Sequence, residues 1–174
     1  MEKLQKEINV NQLEDLIKVL QDTFHSGKKI FVYSFGRSLL VGKAFAMRLM
    51  HLGFKSYVIS EVVTPSLGVN DIFLVISKNL SNDQISVAID FAKEYKAKII
   101  IITSTENSPL LKKADNLLVV PYTSIKLKIL GASTPLGTLF EISTMILLDC
   151  VIAELMSRLG TTEEEMGMRH ANIQ

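Results

Sequence analysis

Three turns in this sequence gather hydroxyl, amide and guanidinium groups at the ends of apolar runs. The first, residues 34–38, carries Gly36, Arg37 and Ser38 directly after the run 30–35. The second, 77–83, carries Ser77, Asn79 and Asn82, and the third, 104–108, opens with Ser104. A Gly-Arg-Ser join between a strand and a helix has the parts of an anion site. The helix start offers N–H groups and the positive end of its dipole, and the arginine adds a charged fork. The plainer alternative is a turn that simply needed its glycine. One polar turn says little, but three at one rim point to a phosphorylated small molecule.

Glu141 is the second kind of chemistry on offer. It lies between Phe140 and Ile142 in the second turn of a segment that is apolar nearly all round. A carboxylate there is costly to desolvate unless it is paired or useful. Partial burial also raises a carboxyl group toward neutrality, which suits a general base. The alternative is a glutamate bonded to a nearby loop or turned to solvent.

The elements that must position these groups alternate along the chain. Residues 2–26 carry one apolar stripe of a helix, or of two helices meeting near Asn9 and Asn11, where Asn11 and Glu14 have the spacing of a capping pair. Strand 30–35 leads into a helix expected to start at Ser38, a good N-cap residue, and to run to Gly53. Strand 56–60, a loop with Thr64-Pro65, strand 72–77, helix 82–96, strand 98–104, a short helix 109–114 and strand 117–120 follow. The unbroken isoleucine run 99–102 reads as a strand buried on both faces. Alternation of this kind predicts a parallel sheet with right-handed crossovers and helices on both faces, and ligands beyond the carboxyl ends of the strands. A loop, 122–134, then precedes a long helix, 136–159, and a second short helix from Thr161 with Glu163–Glu165 in its first turn.

Composition sets the limits. At 174 residues, with 48% hydrophobic and 21% charged residues, the chain is expected to be a single domain, 1–174, with a substantial core. A net charge of +1 argues against a nucleic-acid surface. The single cysteine, Cys150, allows no intrachain disulfide and fits a reducing compartment. Residues 136–159 are interrupted by Glu141, Asp149, Glu154 and Arg158, so no membrane span is expected, and a cytoplasmic location is.

The segment from Gly36 to Phe54, the Thr64-Pro65 loop, Pro135-Leu-Gly-Thr-Leu-Phe-Glu141 and the terminal Arg169-His170-Ala171-Asn172 together resemble the 6-phospho-3-hexuloisomerase family, whose members are sugar-isomerase (SIS) domain proteins. The resemblance implies a three-layer αβα sandwich with a five-stranded parallel sheet in flavodoxin-like order. It also implies a homotetramer, no metal or organic cofactor, and interconversion of 3-hexulose 6-phosphate with fructose 6-phosphate. The chain departs from the family pattern at four glycine positions, now Ser34, Leu39, Lys78 and Leu80. Glycine in such loops allows close phosphate approach and positive φ. Lys78 adds a charge there, and Ser38, Arg37, Ser77, Asn79 and Asn82 remain as donors.

That reaction needs little: one base to move a proton between neighbouring carbons, and an acid near the oxygens. Glu141 matches the family's acidic residue. His170 is the candidate acid because imidazole titrates near neutrality, and His51 is the second candidate. Alternatively His51 is a surface residue at a helix C-terminus, where the dipole favours its cation. His25 reads as structural, Lys43 and Arg48 as ion-pair or subunit-contact residues, and Arg169 as one of these or a clamp on the tail. Leu147, Leu148, Val151, Leu155 and Met156 are expected to form an exposed patch in a monomer, which favours a closed homo-oligomer. The tail could then place His170 beside Glu141 of another subunit. A second class of function stays open: a sugar-isomerase domain that binds a sugar phosphate as a sensor without turning it over.

Overall fold

The computed structural model describes residues 8–59, 61–121 and 136–173, with the backbone of 126–127 and 132–133. Its elements in chain order are α1 (Val10–His25), β1 (Lys29–Tyr33), α2 (Gly36–Leu52), β2 (Lys55–Val58), β3 (Ile72–Ile76), α3 (Asp83–Glu94), β4 (Lys98–Thr103) and β5 (Asn116–Val119). A short antiparallel pair, β6 (Lys126–Leu127) and β7 (Ala132–Ser133), precedes α4 (Thr138–Leu159) and α5 (Glu163–Met168). Five parallel strands pair in the order β2-β1-β3-β4-β5. This is the expected α/β architecture, with its strand order reversing between β1 and β3. The loop 122–134 and Pro135 fall largely outside the described residues.

Strand alternation sends successive side chains to opposite faces of the sheet. Val32, Leu74, Ile100, Ile102 and Leu118 face α1, α2 and α4 in one buried cluster. Phe31, Phe73, Val75, Ile99 and Ile101 face α3 in a second. Ile99 to Ile102 are all fully buried, so each contributes roughly 1.5–3 kcal/mol relative to exposure. No helix among the described residues is long and apolar enough to cross a membrane.

Several expected details differ. α1 is capped by Asn9, whose Oδ1 accepts from the Asn11 and Gln12 N–H groups; Asn11 lies inside the helix. Glu14 instead meets Arg158 of α4 at 2.7 Å and joins the two helices. α2 starts at Gly36, with Phe35 in the cap position and no side-chain cap, so Ser38 lies within the first turn and does not cap. The reason is local: Gly36 takes φ +56°, which brings the chain out of β1 and into the helix two residues early. The exposed patch on the long helix is also not where the sequence suggests. Leu147, Leu148, Val151 and Leu155 are buried and Met156 packs on the same core, because α4 lies against both α1 and α2.

Candidate functional site

The carboxyl ends of β1 and β3 lie side by side at the point where the strand order reverses, the crevice in which open α/β sheets bind ligands. Ser34, just past β1, is buried and its hydroxyl donates to the Ile76 carbonyl at the end of β3, joining the two rims. From the β1 side the chain turns through Gly36 into α2, and nothing lies within 4 Å of where a Gly36 side chain would begin. That open space faces the α2 N-terminus, where free N–H groups favour an anion.

From the β3 side, loop 77–82 is held by its own polar groups. Ser77 Oγ accepts from the Leu80 N–H at 3.2 Å, and Asn79 Oδ1 accepts from the Ser81 N–H and hydroxyl. Asn82 caps α3 through the Gln84 N–H. The Lys78 carbonyl accepts from the Ser104 N–H, the Ser104 hydroxyl at 2.8 Å and the Thr103 hydroxyl at 3.0 Å. Ser104 thereby ties the third turn to the second. Leu80 has φ +56°, a value that glycine adopts freely and leucine at a cost of about 1–2 kcal/mol. Its side chain is buried under α3 with the second core cluster.

The first turn of α4 closes the crevice. Glu141, with 12% of its side chain exposed, receives the Arg37 Nε–H at 2.7 Å on Oε2. A side chain at Gly137 would begin 3.1 Å from Glu141 Oε1 and 3.6 Å from Lys78 Cδ, so the glycine leaves room for both. Lys78 Nζ reaches the Leu136 carbonyl at 3.4 Å. Arg37, Lys78 and Glu141 thus meet from three elements at one rim. Contrast Asp71, a carboxylate at the opposite end of the sheet: it accepts from the Lys29 and Gly68 N–H groups and pairs with Lys29, a wholly structural set of partners.

The two histidines lie elsewhere. Arg37 and His51 are at opposite ends of α2, roughly 20 Å apart along its axis. His51 is buried, which corrects its reading as a surface residue, and its ring stacks on His170 with centroids 5.0 Å apart. The tail folds back over the end of α2, and Arg169 clamps it by donating to the His51 carbonyl at 3.0 Å. Burial, with His170 and then Arg48 nearby, pushes the His51 imidazole below its usual range. A cleft of about 480 Å3 surrounds the pair, lined also by Arg48, Asp149 and Glu163. Within one chain, then, Glu141 is joined by Arg37 and the three polar turns but not by His51 or His170. Arg48 pairs with Asp149 at 3.8 Å and Lys43 with Glu61 at 2.6 Å, while exposed His25 packs edge-on to Phe24.

Sequence reading missed Gly137 and the bridging hydroxyl of Ser34. A glycine four residues before Glu141, on the same helix face, was the available signal for the first; nothing local marked the second. A larger hollow of about 720 Å3 beneath α3 is lined by Phe31, Tyr33, Phe73, Val87 and Phe91. Its walls are mostly apolar, with Thr64, Asp83 and Gln84 also lining it, and none of the three rim charges reaches it.

Comparison with known proteins follows the same lines. A family model described as SIS domain matches residues 23–148. A 3-hexulose-6-phosphate isomerase from Methanocaldococcus jannaschii is 40% identical over 163 residues, covering 94% of this chain and 84% of that protein. One from Methylomonas aminofaciens is 40% identical over 148 residues, covering 84% of this chain and 81% of that protein. A crystal structure from Methanococcus jannaschii, of a protein inferred to be a 3-hexulose-6-phosphate isomerase, has a TM-score of 0.82 at 38% identity and covers 94% of this chain and 86% of that chain.

Proposed function

The chain belongs to the SIS-domain family and is an isomerase of sugar phosphates, and from that premise we propose that it interconverts 3-hexulose 6-phosphate and fructose 6-phosphate through an enediol, with Glu141 as the base. The observation that carries this reading is the placement of Glu141: a nearly buried carboxylate, held at 2.7 Å by Arg37, at the rim where three polar turns converge. The phosphate group sits against the α2 N-terminus, in the open space at Gly36, and competes for Arg37. Ser38 lies in that first turn of α2, and Ser77, Asn79, Asn82 and Ser104 border the same crevice.

Glu141, released from Arg37, takes the proton from C2, the C2–C3 enediol forms, and the same carboxyl group returns a proton to C3. Proton transfer between the two oxygens falls to His170. Because His170 lies at the far end of its own subunit, the acid comes from another copy. An assembly of copies has a surface to form on: Leu40, Met47 and Met50 of α2 and Ile142, Met145 and Ile146 of the adjoining α4 are exposed and apolar. We take that assembly to be a closed homo-oligomer, a tetramer by family likeness.

Supplying 3-hexulose 6-phosphate made in situ and following fructose 6-phosphate tests the reaction. Product formation at catalytic enzyme concentration is expected. Its absence, with sugar phosphates still raising the melting temperature, would point to a sensor instead.

A further inference from the structure

Lys78 stands at a position where the resembling family carries glycine, and its side chain does not lie along its own loop. It crosses to the residues that lead into α4, where its Nζ reaches the Leu136 carbonyl and its Cδ lies against the capping Gly137, the same residue that Glu141 Oε1 approaches. The backbone from which it projects is fixed, since the Lys78 carbonyl accepts three hydrogen bonds from Thr103 and Ser104. Arg37 reaches Glu141 from the other wall of the crevice. The rim therefore sets two cations and one carboxylate beside a helix N-terminus, whose dipole itself opposes a cation. Positive charge collected there suits a ligand that carries or develops negative charge.

Direction separates the two cations. Arg37 belongs to the first turn of α2, on the side of the open anion site at Gly36, and is 60% exposed. Lys78 lies on the side of the carboxylate, its Cδ against Gly137 and its Nζ at the Leu136 carbonyl. We infer that Lys78 is a catalytic residue whose ammonium donates a hydrogen bond to the sugar oxygen on which charge develops, rather than a ligand of the phosphate. This rests on the isomerase reading above. When Glu141 takes the C2 proton, the C–H electron pair becomes the C2–C3 double bond and the carbonyl π pair moves to O3. The ammonium stabilises that enediolate oxygen and is unchanged when the step reverses at C3. An ammonium has three donors and accommodates more than one acceptor at once.

The test compares Lys78→Met and Lys78→Gln with the wild type, both in turnover and in binding two probes: fructose 6-phosphate and a phosphorylated hydroxamate that mimics the enediolate. Loss of one preorganised donor at a developing oxyanion lowers kcat by about a hundredfold or more. KM and fructose 6-phosphate affinity should stay within about threefold, while the hydroxamate loses most of its advantage over fructose 6-phosphate. A kcat kept near wild type with KM raised about tenfold would make Lys78 a phosphate ligand and overturn the assignment, as would unchanged hydroxamate affinity. Unaltered fructose 6-phosphate binding shows that the variants are folded. If the wild type itself forms no fructose 6-phosphate, the isomerase reading fails and the role of Lys78 falls with it. A working wild type with equally active variants removes Lys78 alone.

Discussion

Burial decides the charge of His51, and through it part of the protein's response to acid. The residue is 3% exposed, stacks on His170 and shares its cleft with Arg48, Asp149 and Glu163, with Arg169 bonded to its carbonyl. Desolvation, then His170, then Arg48 lower its folded pKa below the ordinary value of about 6.5. Between the lowered folded value and about 6.5 the unfolded chain binds more protons than the folded one, so stability falls as pH drops through that window. Above it the contribution is constant. The melting temperature of the wild type should therefore fall more between pH 7.5 and pH 5.5 than that of His51→Gln. Equal slopes would mean that His51 takes up its proton without cost.

At the scale of elements, the loop after β3 shows how a shape survives its usual residues. Leu80 holds φ +56° while its side chain fills the core under α3, so the strain is offset by burial. Leu80→Gly relieves about 1 kcal/mol of strain but empties a buried leucine site, usually a loss of about 2–5 kcal/mol, for a net destabilisation of about 2 kcal/mol. Because the side chain points into the core, sugar-phosphate affinity should not improve. Denaturant unfolding checks the first expectation and a binding titration the second; a tighter-binding variant would show that leucine obstructs the loop. The sheet was legible because runs such as 99–102 need no tertiary knowledge: four consecutive isoleucines bury on both faces wherever a strand lies between helix layers. The start of α2 was not, since Ser38 fits a cap as well as it fits a first turn, and only the φ of Gly36 separates them. Glu141 stood out as a carboxylate set between Phe140 and Ile142 near the start of a mostly apolar helix. Its partner Arg37 is 104 residues away and no local pattern joins them. The burial of His51, read as a second candidate acid or alternatively a surface residue, was hidden for the same reason, since the tail that covers it arrives from the far end of the chain.

At the scale of the whole molecule, the proposed base and the proposed acid lie far apart in one chain. Glu141 and His170 occupy opposite ends of the α2–α4 pair, so a site that uses both draws them from two subunits. Glu141→Gln and His170→Ala, each nearly inactive alone, should regain activity when unfolded and refolded together. Random mixing leaves about a quarter of shared sites with both groups intact in a closed oligomer. No recovery would place both groups in one chain or remove His170 from the chemistry. The central claim, that Glu141 carries a proton between the two carbons, is tested most directly by running the reaction from 3-hexulose 6-phosphate in D2O. Deuterium is then read at C3 of the fructose 6-phosphate formed. The wild type should give product with deuterium at C3, through exchange of the carboxyl proton with solvent, and Glu141→Gln should cut kcat at least about a hundredfold while still binding fructose 6-phosphate. Product formed by Glu141→Gln at near the wild-type rate, with deuterium still entering C3, would contradict the account by showing that another group moves the proton.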